Sequence, residues 1–185
     1  MFTNHILIIV TGIPCAGKSY LTTLLQSKYK DKYTFLKIER DEIFGKIVET
    51  YSNIGSNKKN RLITEEMNKI YIEFNSSIND VILVVDSCSG SDGIRQFIMD
   101  KASSKTKTIV VNIHPKVISN SLDIDFYIKR AKAREQHYVF PRELEAQIKE
   151  LRKCYDQYRP AQKSHNYDVV DLNFDWNSED ISIEI

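Results

Sequence analysis

Eight consecutive residues, Gly12–Ser19 (GIPCAGKS), have the types and spacing that hold a phosphate chain: Gly, four residues, Gly, Lys, Ser. The glycines let the backbone wrap an anion closely, and successive N–H groups with a following helix N-terminus supply the positive field. In this arrangement Lys18 reaches the β- and γ-phosphates of a nucleoside triphosphate, and Ser19 ligates Mg2+. The nucleotide contacts expected here run through Gly12, Ile13, Pro14, Cys15, Ala16, Gly17, Lys18, Ser19 and Tyr20. Cys15 is either a small filler residue or a thiol made reactive by that field.

Three further groups can act on a phosphate held there. Asp41, after Arg40, is placed to accept a hydroxyl proton as that oxygen attacks the γ-phosphate, and the competing reading is a helix cap. Asp86 closes the apolar run VILVVD and is a candidate for organising Mg2+ or the acceptor. In KRAKAR (129–134), Arg130 and Arg134 are four apart and share one helical face, which can stabilise charge in a loose phosphoryl-transfer transition state. An ordinary basic surface helix is the alternative. Arg95 is a weaker phosphate candidate, with a solvated helix face as its competing reading.

The elements that must position these groups alternate along the chain. His5–Thr11 (HILIIVT) has the continuous β-branched character of a strand buried on both faces. A helix is expected over Lys18–Tyr29, a second strand over Tyr33–Ile38, and a helix over Asp41–Tyr51 capped by Asp41. Asn53–Asn60 reads as a loop, Leu62–Ile78 as a helix, Val81–Asp86 as a strand and Ser91–Ala102 as a helix. Thr108–Asn112 is the fourth strand; Ile124–Arg134 and Pro141–Tyr158 are helices, and Tyr167–Leu172 is the fifth strand. The expected fold is a single α/β domain over residues 1–174, with a five-stranded mainly parallel sheet, helices on both faces and a helical lid. Residues 175–185 are expected to be an acidic, solvated tail.

Composition narrows the partners. The chain has 185 residues, 26 Lys/Arg and 25 Asp/Glu, but residues 101–165 are net +7 and residues 166–185 net −6. Near-neutrality opposes a dedicated non-specific nucleic-acid binder, while a basic central stretch can still hold a polyanion locally. The longest early apolar run, Ile6–Val10, is too short for a membrane span or a signal-peptide core. Cys15, Cys88 and Cys154 form no disulfide or zinc pattern, which fits a reducing, cytoplasmic setting. His5, His114, His137 and His165 have no metal spacing and are expected to be structural or solvated. The GTPase specificity pattern N-K-x-D is absent.

Together, GIPCAGKS, ERDE (39–42), VVDS (84–87), KRAKAR (129–134), PRELEAQIKELRKCYDQYRP (141–160) and YDVVDL (167–172) resemble the P-loop kinases that include polynucleotide 5′-hydroxyl kinases. Zeta-toxin-like and seryl-tRNA kinases are relatives in that group. The resemblance implies ATP and Mg2+ as cofactors, Lys18, Asp41, Arg130 and Arg134 as catalytic residues, and Arg40 and Asp86 beside the acceptor. It also implies that the Arg159–Asn166 loop passes the nucleotide base. The leading acceptor is then a nucleic-acid 5′-hydroxyl; a nucleoside, nucleotide or other small-molecule kinase is the same-class alternative. An NTP-binding switch or regulatory NTPase is the alternative from another class. One departure favours the small acceptor: polynucleotide kinases of this type carry an arginine three residues after the base, where this chain has Phe44. At this length, and with no phosphatase motif, a fused end-healing enzyme is not expected.

Overall fold

The computed structural model describes residues 3–51, 53–87, 91–103, 105–133, 143–177, 181 and 183. In chain order the elements are β1 (His5–Thr11), α1 (Lys18–Tyr29), β2 (Thr34–Glu39), α2 (Arg40–Thr50), α3 (Ser56–Ser76), β3 (Val81–Ser87) and α4 (Asp92–Asp100). They continue with β4 (Lys107–Ile113), the short strands β5 (Val117–Ile118) and β6 (Ser121–Leu122), α5 (Ile124–Lys132), α6 (Leu144–Gln157) and β7 (Asp168–Leu172). Five strands make one parallel sheet in the order β2-β3-β1-β4-β7.

The apolar run of β1 explains its central place. Ile6, Ile8 and Val10 pack into the layer that holds Leu21 and Leu25 of α1, Tyr127 of α5 and Leu151 of α6. Leu7 and Ile9 pack into the opposite layer, with Tyr71 and Phe74 of α3 and Ile98 of α4. Successive side chains of a strand point to opposite faces, so only a strand apolar at every position can sit between two helical layers. The predicted α/β architecture, with helices on both faces of a parallel sheet, is therefore present.

Several boundaries differ, each for a physical reason. Helix α3 starts at Ser56, so Ser56–Asn60, expected as loop, is helical. Its first turns (SNKKNR) are polar on all sides and carry no apolar period; Arg61 donates to Glu65 one turn on, at 2.7 Å, and the packed face begins at Ile63. Asp41 does not cap α2: the N-cap is Glu39, without a side-chain bond, and Asp41 stands inside the first turn. The β5–β6 hairpin was not signalled, because Ser119 and Asn120 supply its two left-handed residues (φ 48° and 64°) in place of a glycine. The expected start of the last helix at Pro141 lies outside the described residues.

The solvated tail is also corrected. Ile181 and Ile183 are buried in the α1-side core, Tyr29 donates to the Ile183 carbonyl at 2.7 Å, and Trp176 packs against the same layer. Trp176 against Tyr20, and the carbonyls of Ile181 and Ile183 bonded to Lys28 and Tyr29, hold these described residues against α1.

Candidate active site

β1 hands directly to the phosphate loop at Gly12. Cys15 and Gly17 adopt left-handed backbone (φ 64° and 99°), the turns that bring successive N–H groups round to one side. Gly12 is tightly enclosed: an added Cβ would lie 3.3 Å from Ala16 Cβ and from the Ile113 carbonyl oxygen. Gly17 is the N-cap of α1 and has no side chain with which to satisfy the first-turn donors, which are left for an anion.

The parallel register then collects the chemistry at one edge. Val10 pairs with Asp86 and Asp86 with Glu39, so the C-terminal ends of β1, β3 and β2 lie side by side. Lys18, 5% exposed, donates to the Ile13 carbonyl at 3.2 Å and stands 3.7 Å from the Asp86 carboxylate. Ser19 Oγ donates to the other Asp86 oxygen at 3.3 Å. Burial pushes the Asp86 carboxyl above its ordinary range; Lys18 opposes that rise, and the nearby Asp41 charge adds to it. Glu39 is raised as well, by its own burial, against the pull of Lys37. Lys37 in turn bonds Glu42 at 2.7 Å, and Glu42 pairs with Lys46 at 2.8 Å.

The structure thus brings Lys18, Ser19 and Asp86 into contact, with Asp41 half-buried within electrostatic reach of Asp86. Arg40 is exposed beside them, and Phe44 is half-buried one turn further along α2. A hydroxyl paired with a carboxylate is a fitting partial donor set for Mg2+, which takes the remainder of its shell from phosphate and water. Among the described residues no three His, Cys, Asp or Glu side chains cluster as a metal site.

Arg130 sits on α5 with its guanidinium 5.2 Å from the Phe126 ring centre, and its Nη1 is buried without a hydrogen-bond partner. Among the described residues it makes no hydrogen bond or ion pair to the phosphate loop. Arg134 lies outside the described residues. Arg95 is not a solvated residue: it is 2% exposed, pairs with Asp92 and donates to the Arg159 carbonyl at 2.8 Å. Cys15 is 2% exposed, which removes the accessible thiol that the reactive reading needs.

Two residues were missed in sequence. Asn112, at 0% exposure, accepts from Thr11 Oγ1 at 3.1 Å and from the Ala161 N–H at 2.9 Å. It donates to the Ala161 carbonyl at 3.0 Å and to Asp171 at 2.9 Å. One amide therefore joins the residue before the phosphate loop, the 159–163 segment and β7. Trp176 lies against Gly17, with Cζ2 3.3 Å from where a Cβ would be, and stacks on Tyr20 at 5.6 Å. An isolated tryptophan just after the last strand was the available signal.

A parallel sheet with the phosphate loop after its central strand, and a carboxylate strand beside it, is the arrangement of the P-loop NTPase/kinase fold. A candidate kinase from Chloroflexus aurantiacus j-10-fl shares it at TM-score 0.62 and 18% identity, covering 97% of this chain and 95% of that one. A gluconokinase from Sinorhizobium meliloti 1021 does so at 0.54 and 12%, covering 97% and 89%. A chain of the Pnkp1/Rnl/Hen1 RNA repair complex matches at 0.53 and 17%, over 86% of this chain and 48% of that one. No curated protein matches in sequence. Residues 6–179 match the family model of the chromatin associated protein KTI12, and the chain belongs to the KTI12 family. No described helix is long and apolar enough to cross a membrane.

Proposed function

We propose that the protein is a phosphotransferase that moves the γ-phosphate of ATP, with Mg2+, to a hydroxyl acceptor. The observation that carries this reading is the contact set Lys18–Asp86–Ser19 at the mouth of the phosphate loop, with Asp41 beside it. Lys18 is held by Asp86 and the Ile13 carbonyl, so its charge is already aimed across the loop and can exchange the carboxylate for phosphate oxygens. The α1 N-terminus and the loop N–H groups fix the phosphate chain. Asp41 is the group that would take the acceptor proton as the oxygen attacks. Mg2+, when bound at Ser19 and Asp86, supplies positive charge against the phosphate oxygens. Arg130 and Arg134 are assigned to the lid, where guanidinium groups stabilise the charge of the transferred phosphoryl.

A nucleic-acid 5′-hydroxyl is the acceptor favoured by the sequence resemblance and by the net +7 stretch over residues 101–165. A small hydroxyl compound without an adjacent phosphate is the second reading. It is favoured by Phe44, which puts no cation three residues after Asp41 to receive an acceptor phosphate.

The test is transfer of γ-labelled phosphate to 5′-hydroxyl DNA and RNA, nucleosides, nucleoside monophosphates, small polyols and water. Label is expected in a hydroxyl acceptor; label only in free phosphate would move the assignment to a regulatory NTPase. A polynucleotide acceptor should lose affinity steeply as salt rises, and a neutral small one should not. Asp41→Asn should keep ATP binding and lower transfer by about 10²- to 10⁴-fold. Near-normal turnover in that variant would overturn the role of Asp41.

A further inference from the structure

We propose that Trp176 and Tyr20 form the contact surface for the nucleoside part of the donor. The inference rests on the reading of Gly12–Ser19 as a triphosphate site, and it moves the nucleoside contact from the Arg159–Asn166 loop, which the sequence resemblance implied, to this pair. Phosphates seated at Lys18 and Ser19 lie at the N-terminus of α1, so the ribose and base joined to them start out beside its first turn. Tyr20 stands in that turn, directly after Ser19, and is 56% exposed. Trp176 stacks on it with rings 5.6 Å apart and 30° between planes, while its indole edge lies against Gly17.

Two features mark this pair as more than packing. The indole Nε1 is buried with no hydrogen-bond partner, an arrangement that a polar neighbour would improve. Trp176 is also held from both sides. Its backbone N–H donates to the Asn173 carbonyl at 3.1 Å just beyond β7, and Ile181 and Ile183 anchor the chain after it. A flat aromatic surface fixed beside a phosphate site accepts a nucleobase by stacking, with more overlap for a purine than for a pyrimidine.

Trp176 is the single tryptophan of the chain, so its emission reports on this pair alone. The experiment titrates the native protein with Mg·ADP, Mg·CDP and Mg·tripolyphosphate, following fluorescence and, independently, heat of binding. ADP should shift the emission saturably and bind several-fold tighter than CDP, with tripolyphosphate giving the smallest spectral change. Trp176→Ala should weaken ADP binding by roughly tenfold or more while leaving tripolyphosphate affinity unchanged, and Trp176→Phe should restore most of the loss. Tyr20→Leu gives a second variant that leaves the tail anchored. The proposal is overturned if ADP binds by calorimetry with no change in Trp176 emission, or if Trp176→Ala weakens ADP and tripolyphosphate equally. Failure of every phosphate compound to bind the native protein would instead sink the reading of the loop as the donor site.

Discussion

Asp86 faces two demands at the residue scale. It must be charged to hold Lys18 and Ser19, yet burial raises its pKa and the Asp41 charge raises it further. A carboxyl whose pKa is higher in the fold than in the unfolded chain binds protons more readily when folded. Stability then falls as pH rises from the ordinary Asp value through the raised one, and is flat above it. Urea unfolding across that window should show this downward slope in the nucleotide-free protein, and Asp86→Asn should flatten part of it; an unchanged slope would remove Asp86 as the source. Gly17 carries a different constraint. At φ 99° an alanine is strained by about 1–2 kcal/mol, and its Cβ would press on Trp176 Cζ2 at 3.3 Å. Gly17→Ala should lower thermal stability by that amount and weaken nucleotide binding measured by calorimetry. Lys18 and Ser19 were legible because their geometry is set by neighbours a few residues away. Asn112 and Trp176 were not, because their partners Ala161 and Gly17 are remote in sequence and meet them only through packing.

At the scale of elements, the strands were the most readable part, since a two-faced apolar run has few other places to go. The start of α3 was hidden because polar residues at a helix end carry no period, and the β5–β6 turn because Ser119 and Asn120 are not the usual left-handed pair. Asn112 shows how one side chain fastens several elements. Its amide meets Thr11 at the end of β1, both polar groups of Ala161, and Asp171 on β7. Asn112→Ala leaves buried groups unpaired on each, and should cost about 2–4 kcal/mol in urea unfolding. Asn112→Asp keeps the two acceptor bonds but sets a second carboxylate against Asp171, so its loss should be larger at neutral pH than in acid. Equal losses at both pH values would count against that repulsion.

Across the whole molecule, the charge count was readable but the destination of the acidic tail was not. Its net charge pointed to solvent, while three apolar residues among the acids decide where it lies. Ile183, 3% exposed, is the far anchor, and Ile183→Ala should destabilise the protein by about 2–4 kcal/mol in thermal unfolding. Tyr29→Phe, which removes only the bond to the Ile183 carbonyl, should cost about 0.5–1.5 kcal/mol. A tail without an anchoring role would leave both variants at native stability.

The central place of β1 has a consequence in time. His5 pairs with Val81, and Ile6 with Lys107, so the strand that carries the phosphate loop is bordered on both sides only by segments made much later. During synthesis β1 leaves the ribosome before its neighbours and waits, apolar on both faces, until β3 and then β4 arrive, and β7 closes the edge after that. Such non-local pairing is slow and exposes sticky surface while it is incomplete. The strand that carries the phosphate loop is therefore made before its partners and becomes functional only after them. Nascent chains stopped before β4 should need chaperone protection that longer ones do not.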